Sequence, residues 1–368
     1  MIEFMRIENF KTLLEAEFPL APLNLFAGLN GMGKSSLIQA LLLLRQSFER
    51  NTLQNKGLLL NGDYVNLGMG GDVLSADSET NQIKFLIKWH EESGREFFFK
   101  EAPESDLLPL VMPIDFMSSA QKSLFNRNFQ YISADRISPK SNYDISDYHI
   151  SDLNTLGNHG EYTVHYIADN ALNKLSIETL KHPSITEPNF LINLEAWMSE
   201  ITPGIKIKAI TQKQYNSATL SYSFIQGTER TAEFKPQNVG FGLTYALPVV
   251  TAMLRAQRGD LVIIENPESH LHPAGQAMVG KLCCLAASKG VQFFIESHSD
   301  HFLNGVRVAI KKKLIKHDEV SLFFLERPFE QAIHSSIIHN PAIDPNGRLE
   351  YWPKGFFDEW DKQLDELL

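Results

Sequence analysis

The chain has 368 residues, a formal net charge of −10 and 43% hydrophobic residues. These values are typical of a globular protein that holds one large domain or two ordinary ones. The acidic balance argues against a surface coated with nucleic-acid-binding charge, although it is compatible with a local basic face. No apolar run reaches the ~18 residues of a membrane span, and Met1–Met5 lacks the pattern of a signal peptide. The only cysteines, Cys283 and Cys284, are neighbours in a helical pattern and are predicted to be reduced thiols of a cytoplasmic protein.

The first half of the chain predicts a small, mostly antiparallel lobe beside a strand that leads into a helix. Apolar segments bounded by turn residues mark the strands. They are Ile2–Ile7, Leu13–Phe18, Leu23–Ala27, Asp63–Leu67, Ile83–Trp89, Glu96–Lys100 and Phe129–Ala134. Ser35–Phe48 carries apolar residues at helical spacing without glycine or proline, which predicts a helix.

A glycine-rich loop joins the strand Leu23–Ala27 to this helix. From Gly28 to Ser35 it matches G-x-x-x-x-G-K-S, and strand, loop and helix are the setting of a phosphate-binding (Walker A) loop. Backbone N–H groups of such a loop surround phosphate oxygens, and the helix start adds a positive dipole end. We expect Lys34 to reach the β- and γ-phosphates of ATP and the Ser35 hydroxyl to bind Mg²⁺. The residues assigned to the nucleotide are Asn30, Gly31, Met32, Gly33, Lys34, Ser35 and Ser36.

The second half alternates strands with helices, which predicts a parallel sheet covered on both faces. Its predicted strands are Leu261–Ile264, Val291–Ile295 and Val320–Leu325, and its predicted helices are Leu243–Arg255, Ala274–Ser288 and Asp300–Leu314. Between the halves we expect a surface loop over Pro139–Asn158, helices over Glu161–Ala171 and Leu191–Ile201, and hairpin strands over Lys206–Ile210 and Thr219–Phe224. Glu265 ends an apolar strand as a Walker B acid does, and it is the predicted carboxylate ligand of Mg²⁺.

Four motifs together resemble the ABC-type heads of the SMC, RecF and OLD-like ATPases. They are Arg6–Lys11, the Walker A loop, Glu265–Pro273 and Ile295–Asp300. The long interval between the Walker motifs, and the glycine-rich Asn238–Gly242 ahead of Walker B, suit the ABC order. The chain resembles in particular a bacterial AAA-family branch often found near phage-defence genes. The C-terminal domain of unknown function in that branch resembles Gly347–Asp358.

This resemblance implies a head-to-head homodimer, or a higher oligomer, that closes on ATP. One subunit binds ATP through its Walker A loop, and the signature loop of the other covers it, here Asn238, Gly240 and Gly242. His298 matches the switch histidine that senses the γ-phosphate, and residues 269–273 occupy the loop that crosses between subunits.

Two departures from the family pattern affect the expected catalysis. Val239 or Gly240 takes the place of the signature serine, and Asn266 replaces the glutamate that usually polarises the attacking water. An asparagine cannot take a proton, although an amide can orient water, and Glu268 is a second candidate. The predicted catalytic residues are therefore Glu265, Asn266, Glu268 and His298, and we expect slow turnover.

The predicted fold is α/β, a P-loop NTPase with an ABC-ATPase-like head, a parallel core sheet, an antiparallel lobe and a mixed α/β insertion. We expect a single head over residues 1–368. Its predicted parts are the Walker A half with the lobe (1–136), the insertion (137–236), the half with signature, Walker B and switch (237–326), and a C-terminal cap (327–368).

Two groups of polar residues allow more than one interpretation. His270, His272, His298 and His301 could be drawn as a zinc cluster, but no thiolate or matching spacing supports metal ligation. Packing and interface roles are favoured for the first two. The pair 135–136, an aspartate and an arginine, either contacts Mg²⁺ or the γ-phosphate, or forms a surface salt bridge.

Two further features have a structural and a functional interpretation. The basic run between Arg307 and Lys316 either touches DNA phosphates or only complements the dipole at a helix C-terminus. The stripe of Phe357, Trp360 and Leu364 either packs in the core or docks a partner.

The predicted function is ATP binding and slow hydrolysis, coupled to dimer closure, in a regulator of a separate effector protein. The resemblance suggests bacterial anti-phage defence as the setting, which is association by family. The alternative is a RecF- or SMC-like ATPase that binds DNA in repair or processing, and a third class is a nucleotide-gated scaffold that does not hydrolyse ATP. We expect no membrane partner and no nuclease domain after the ATPase.

Overall fold

The computed structural model describes residues 1–29, 31–90, 94–113, 121–328, 334–353, 355–356 and 359–367, without the side chains of residues 359–362. The chain divides into two compact units, which are described separately below. Unit 1 comprises Met1–Asn126, Val320–Ile343 and Leu349–Leu368, and unit 2 comprises Arg127–Glu319 and Asp344–Arg348. The four predicted segments of the head stay a prediction. Within the described residues, every helix is too short or too polar to cross a membrane.

Unit 1 contains the N-terminal strands and the first helices. Its strands are β1 (Ile2–Phe10), β2 (Leu13–Pro19), β3 (Leu23–Gly28), β4 (Gly57–Leu59), β5 (Gln82–Trp89), β6 (Arg95–Lys100), β7 (Leu107–Pro109), β15 (Val320–Glu326) and β16 (Ile337–His339). Its helices are α1 (Lys34–Glu49), α2 (Gly70–Val73) and α8 (Glu359–Leu367). The strands β2, β1, β5 and β6 form an antiparallel sheet in that order, as the sequence predicts.

The strand that leads into the glycine-rich loop, β3, pairs in parallel with β15 over six residues, and β16 is antiparallel to β15. Both β3 and β15 are almost entirely buried, as the continuous apolar pattern predicts. An aromatic cluster joins the two strands to β2. The Phe323 ring stacks on Phe26 at a centroid distance of 5.1 Å and meets the edge of Phe18 at 5.3 Å. The loop after β3 therefore starts from a strand with a rigid aromatic core.

Unit 2 contains two sheets. Its strands are β8 (Phe129–Ile132), β9 (Tyr143–Asp144), β10 (Ile205–Gln212), β11 (Ser217–Gln226), β12 (Glu229–Arg230), β13 (Leu261–Glu265) and β14 (Gln292–Glu296). Its α-helices are α3 (Thr163–Asn170), α4 (Phe190–Ser199), α5 (Phe241–Arg255), α6 (Pro273–Ala287) and α7 (Asp300–Lys311). In the first sheet β13 lies between β8 and β14, and all three are parallel. In the second, β11 pairs antiparallel with β9, β10 and β12.

Two of the predicted segments have a different structure, and the short elements β4, α2, β7, β12 and β16 were not predicted. Residues 63–67 form no strand, because the Gln46 side chain of α1 accepts the N–H groups of Tyr64 and Val65 and takes the place of a strand partner. The predicted surface loop after Pro139 contains β9 and a π-helix over Tyr148–Asp152. The predicted helices and strands elsewhere in unit 2 agree with the structure to within three residues at each end.

We expect Phe323→Ala to lower the free energy of unfolding by about 3–5 kcal/mol, because Phe323 is fully buried and its removal leaves a cavity beside Phe18 and Phe26. Urea denaturation measures this change. Met112→Ala is the control, since Met112 is 58% exposed and its truncation should change stability by less than about 0.5 kcal/mol. Equal effects of the two substitutions would show that the aromatic cluster does not support β3 and β15.

Candidate functional site

The loop between β3 and α1 has a backbone that only glycine adopts easily. Gly28 and Gly33 have φ angles of +144° and +89°. A Cβ at Gly28 would lie 2.4 Å from the Leu325 carbonyl oxygen, and one at Gly33 would lie 2.2 Å from Thr12 Oγ1 and 2.9 Å from Ser336 Oγ. Both conformation and space therefore exclude a side chain at these two positions.

The lysine of the motif, Lys34, is the first residue of α1 and is 4% exposed. Its Nζ donates to the carbonyl oxygen of Leu29 at 2.8 Å, so the positive charge lies against the first residues of the same loop. The preceding Gly33 has no side chain that could cap the helix, so the N-terminus of α1 has no side-chain cap. A buried cation beside a helix N-terminus is an environment that favours an anion.

The other loop residues assigned by sequence lie in the same turn of unit 1. Gly31 has a φ of +76°, Met32 is buried, and the Ser36 N–H donates to the Gly33 carbonyl at 3.0 Å. Ser35, the predicted Mg²⁺ ligand, is partly buried on the first turn of α1. Asn30 lies outside the described residues.

The Walker B acid lies at the end of β13 in unit 2. Glu265 accepts hydrogen bonds from the Tyr131 hydroxyl at 3.1 Å and from the Ala134 N–H at 3.2 Å. These contacts fix the orientation of the carboxylate, and the side chain stays partly exposed. An oriented, partly exposed carboxylate at a strand end fits the oxygen ligand that Mg²⁺ takes in phosphate sites.

Arg136 holds the backbone around this acid. It is 3% exposed, and its Nη2 donates to the carbonyl oxygens of Glu265 and, at 3.0 Å, of Asn266. Burial lowers the pKa of Arg136 to about 10, although the carboxylates of Glu268 and Glu265 oppose this effect. The guanidinium is thus still charged at neutral pH. Of the two sequence interpretations of this arginine, the surface salt bridge is wrong, because Arg136 is buried.

Asn266, which follows the Walker B acid, has an unusual backbone. Its φ is +45°, and its N–H donates to the Glu296 carbonyl of β14 at 2.8 Å. Its Oδ1 is buried and has no hydrogen-bond partner within the described part of the chain. The backbone N–H and carbonyl of Asn266 are both hydrogen-bonded, by Glu296 and Arg136, whereas its buried Oδ1 is bonded to none of the described residues. A left-handed residue with such an unsatisfied buried polar atom is typical of a functional position.

Glu268 connects the Walker B segment to the predicted switch histidine. Its Oε1 accepts the backbone N–H of His298 at 2.7 Å, and the residue is 9% exposed. Burial raises the pKa of Glu268, although the hydrogen bonds from His298 and Ser297 and the charge of Arg136 lower it in part. Glu265, Asn266, Glu268 and His298 therefore lie in one hydrogen-bonded part of unit 2, and the His298 residue itself is exposed.

The predicted signature residues surround the start of α5. Asn238 ends a short 3₁₀ turn, Gly240 precedes the helix, and a Cβ at Gly242 would lie 2.5 Å from the His270 carbonyl oxygen. The His270 ring packs against Tyr245 at a centroid distance of 4.7 Å. A cavity of about 580 Å³ opens beside all three signature residues. This packing supports the interpretation of His270 as a packing residue.

The histidines drawn as a zinc cluster do not converge among the residues that the structure describes. The one convergent set there is Asp147, His165 and Asp169, whose ligand atoms lie within 4.8 Å of one another. His165 Nδ1 accepts the Ser146 N–H at 3.2 Å, so in the neutral ring the proton is on Nε2, the atom that faces the carboxylates. This tautomer offers no lone pair to a cation. The set fits a buried histidine held between two acids.

The basic run at the end of α7 is mostly exposed. Lys311, Lys312, Lys313 and Lys316 are exposed, whereas Arg307 donates its Nε to the Gly347 carbonyl at 2.7 Å. The asparagine–glycine turn that contains Gly347 is thus fixed to α7, as part of unit 2. From the stripe of the C-terminal helix, Leu364 is 45% exposed, and the side chains of Phe357 and Trp360 lie outside the described residues.

Sequence reasoning missed three residues that shape these sites. Thr12 and Ser336 contact Gly33, and Tyr131 orients Glu265. The first two lie far from the loop in sequence, so no local pattern could identify them. Tyr131 lies within a predicted strand next to the aspartate–arginine pair. Its hydroxyl group, in an otherwise apolar strand, was the only feature of the sequence that could have indicated a role at the site.

Family models match three parts of the chain. Family models match residues 1–170 ("AAA ATPase domain"), residues 118–304 ("AAA domain, putative AbiEii toxin, Type IV TA system") and residues 315–367 ("Protein of unknown function (DUF3696)"). No curated protein matches the chain. The matches confirm the predicted resemblance to AAA-family ATPases with a C-terminal domain of unknown function.

Two solved structures are similar in fold. One is the Smc head bound to the C-winged helix domain of ScpA, at 12% identity and a TM-score of 0.51, covering 93% of this chain and 98% of that one. The other is the Smc head domain with an extended coiled coil, bound to the C-terminal domain of ScpA and derived from Pyrococcus furiosus. It is 13% identical, with a TM-score of 0.51, and the match covers 100% of this chain and 99% of that one. These likenesses confirm the predicted α/β, SMC-head-like fold.

We expect the stability of the protein to depend on pH through Glu268. Because its pKa is raised in the folded state, the folded protein binds this proton more tightly than the unfolded chain does. The resulting stabilisation is present below the ordinary pKa of 4.5 and is lost as pH rises through the folded-state pKa. Glu268→Gln cannot ionise, so the stability of the wild type relative to this variant should fall as pH rises above 4.5.

Urea denaturation of both proteins over that pH range measures this difference. Glu229→Gln, at an exposed position of β12, is the matched control and should track the wild type. A constant difference between wild type and Glu268→Gln would show that the carboxyl is not destabilised by burial.

Proposed function

We propose that this chain, which belongs to the AAA-domain family whose description names AbiEii toxins of type IV toxin–antitoxin systems, is a nucleotide-controlled regulator. The chain is an ATPase of the AAA and SMC-head type. In this proposal it binds ATP with Mg²⁺, hydrolyses it slowly, dimerises on ATP and controls a separate effector protein. Bacterial anti-phage defence is the proposed setting, which rests on the family description alone.

The observation that carries the proposal is the geometry of the Walker A loop. Gly33 has a left-handed backbone and no room for a side chain. The ammonium group of the next residue, Lys34, donates a hydrogen bond to the carbonyl oxygen of Leu29. These features present N–H groups and one positive charge to the same small volume, which suits a polyphosphate. Lys34 then exchanges a carbonyl partner for phosphate oxygens, and the charge of the triphosphate offsets that of the lysine.

Ser35 and Glu265 are the proposed ligands of Mg²⁺, one through a hydroxyl and the other through a carboxylate oxygen. Bound magnesium would neutralise part of the phosphate charge. Glu265 suits this role because the Tyr131 hydroxyl and the Ala134 N–H hold its carboxylate in one orientation. Arg136 supports it indirectly, since it fixes the backbone carbonyl of the same residue.

Slow turnover follows from the residue next to the Walker B acid. The amide of Asn266 orients a water molecule without removing its proton, so it supplies only part of what a carboxylate base supplies. Glu268 is the nearest alternative base in the sequence, but its Oε1 already accepts the His298 N–H. In our proposal Glu268 positions the switch histidine, and Asn266 orients the water.

Dimer closure is proposed for the signature residues Asn238, Gly240 and Gly242. A Cβ at Gly240 would meet no atom of the described residues within 4 Å, and Phe241 is 57% exposed, so the start of α5 offers backbone and one aromatic ring to a partner surface. The two similar Smc heads are each bound to a domain of ScpA. By analogy with these heads, we infer that this chain also binds a protein partner.

A second candidate function is DNA binding, which the exposed lysines Lys311, Lys312 and Lys313 favour. Duplex binding that required ATP and weakened steeply with salt would support this alternative. Charge reversal of these lysines should then abolish it. Binding that is insensitive to these lysines leaves the regulator as the better proposal.

We expect Lys34→Ala to weaken the binding of ATP by more than about tenfold, because the loop loses the cation that faces the phosphates. Fluorescence titration with a labelled ATP measures the affinity. Lys56→Ala removes an exposed lysine of the same unit and is the matched control, with unchanged affinity expected. Wild-type affinity in Lys34→Ala would contradict the assignment of this loop.

We expect Asn266→Ala to reduce the rate of hydrolysis more than the affinity for ATP, because it removes the amide that orients water and leaves the loop intact. Steady-state phosphate release separates kcat from KM. Glu268→Gln keeps the acceptor for the His298 N–H and should retain most of the activity. Complete loss of hydrolysis in Glu268→Gln, with ATP still bound, would instead identify Glu268 as the base.

A further inference from the structure

A short C-terminal segment, residues 334–336, contacts the phosphate loop of unit 1. The Ser336 hydroxyl donates to the carbonyl oxygen of Met32 at 2.7 Å, within the Walker A motif. The Ser336 N–H donates to the carbonyl of Thr12, also at 2.7 Å, in the turn between β1 and β2. One serine thus connects the loop to the N-terminal turn by two hydrogen bonds.

The same segment is anchored on its other side by Asp77. This carboxylate accepts the His334 N–H at 2.9 Å and the hydroxyl of Ser335. The hydrogen bond from Ser335 lowers the pKa of Asp77, so the anchor is ionised at neutral pH. The position of Ser336 is therefore fixed from two sides, by Asp77 and by Thr12.

The contact with Met32 determines the direction of a neighbouring N–H group. The Met32 carbonyl and the Gly33 N–H belong to one planar trans peptide unit, in which they point in opposite directions. A hydroxyl that holds the carbonyl on the side of Ser336 therefore turns the Gly33 N–H away from it. In a phosphate loop, N–H groups turned in this way are the ones that bind the nucleotide.

The loop is closely packed at Gly33, where there is no room for a side chain. A Cβ at Gly33 would approach Thr12 Oγ1 and Ser336 Oγ at 2.2 and 2.9 Å, so both hydroxyl groups lie against the same residue. The C-terminal segment therefore lies against Gly33 without room for a side chain between them.

We propose that Ser336 is a positioning residue for the phosphate loop, through which the C-terminal region sets the affinity for ATP. This inference rests on the proposed ATP site. It gives the C-terminal region, which matches a domain of unknown function over residues 315–367, a physical role beside the nucleotide. A protein bound to that region would then control ATP affinity by moving Ser336.

The test is titration of the full chain with a fluorescent ATP, together with kcat and KM, for the wild type and Ser336→Ala. We expect Ser336→Ala to raise Kd and KM about two- to tenfold, the equivalent of one hydrogen bond, with kcat nearly unchanged. Ser321→Ala is the matched control. It also removes one serine hydroxyl that donates to a backbone carbonyl, that of Pro19 at 3.0 Å, away from the loop.

The two serine variants separate positioning from simple stabilisation. Both should lower the free energy of unfolding by a similar small amount, but only Ser336→Ala should weaken nucleotide binding. If the affinity of Ser336→Ala equals that of the wild type or of Ser321→Ala, the inference is overturned. A wild type that binds no ATP overturns the proposed function instead.

A second variant keeps the test decisive if Ser336→Ala does not fold. Asp77→Ala removes the anchor of His334 and Ser335 without touching the loop, and it should weaken ATP binding in the same direction. Unchanged affinity in Asp77→Ala would then by itself contradict the proposed role of the C-terminal segment.

Discussion

The left-handed backbone at Gly33 is the constraint on which the proposed nucleotide site of this protein depends. It exists because three segments distant in sequence meet there, namely the loop after β3, the turn at Thr12 and the segment at Ser336. The aromatic packing of β3 and β15 fixes where the loop begins, and α1 fixes where it ends. Lys34, the first residue of that helix, donates from its ammonium to the carbonyl oxygen of Leu29 in the same loop.

The second unit depends in a similar way on one buried charge. Arg136 would destabilise the fold if it lacked partners, since a desolvated guanidinium costs several kcal/mol. The carbonyl oxygens of Glu265 and Asn266 accept its hydrogen bonds, and the carboxylate of Glu268 contributes a favourable charge. These contacts hold the backbone at the end of β13, where the proposed catalytic residues lie and Asn266 adopts its left-handed conformation.

The sequence was sufficient for the fold class and for the strands and helices that carry the candidate site residues. Strand, glycine loop and helix are encoded within a few neighbouring residues, and the apolar strand that ends in Glu265 is equally local. Contacts between distant segments could not be read in this way. Ser336 and Thr12 are ordinary polar residues in the sequence, and only the fold places them against Gly33.

Two local interpretations failed for the same reason. Residues 63–67 have the composition of a strand, but the side chain of Gln46 satisfies their N–H groups. Arg136 follows an aspartate in a polar stretch and was compatible with a surface ion pair, yet it is buried and donates to the Asn266 carbonyl that follows β13. In both cases a tertiary hydrogen bond outweighed the local pattern.

Calorimetric titration of the full chain with a nonhydrolysable ATP analogue and Mg²⁺ tests the central claim most directly, since it needs neither hydrolysis nor a partner protein. Because the chain has one Walker A loop, we expect saturable binding heat with a stoichiometry of about one nucleotide per chain. The absence of any binding heat, with the protein folded and the analogue in excess, would contradict the account.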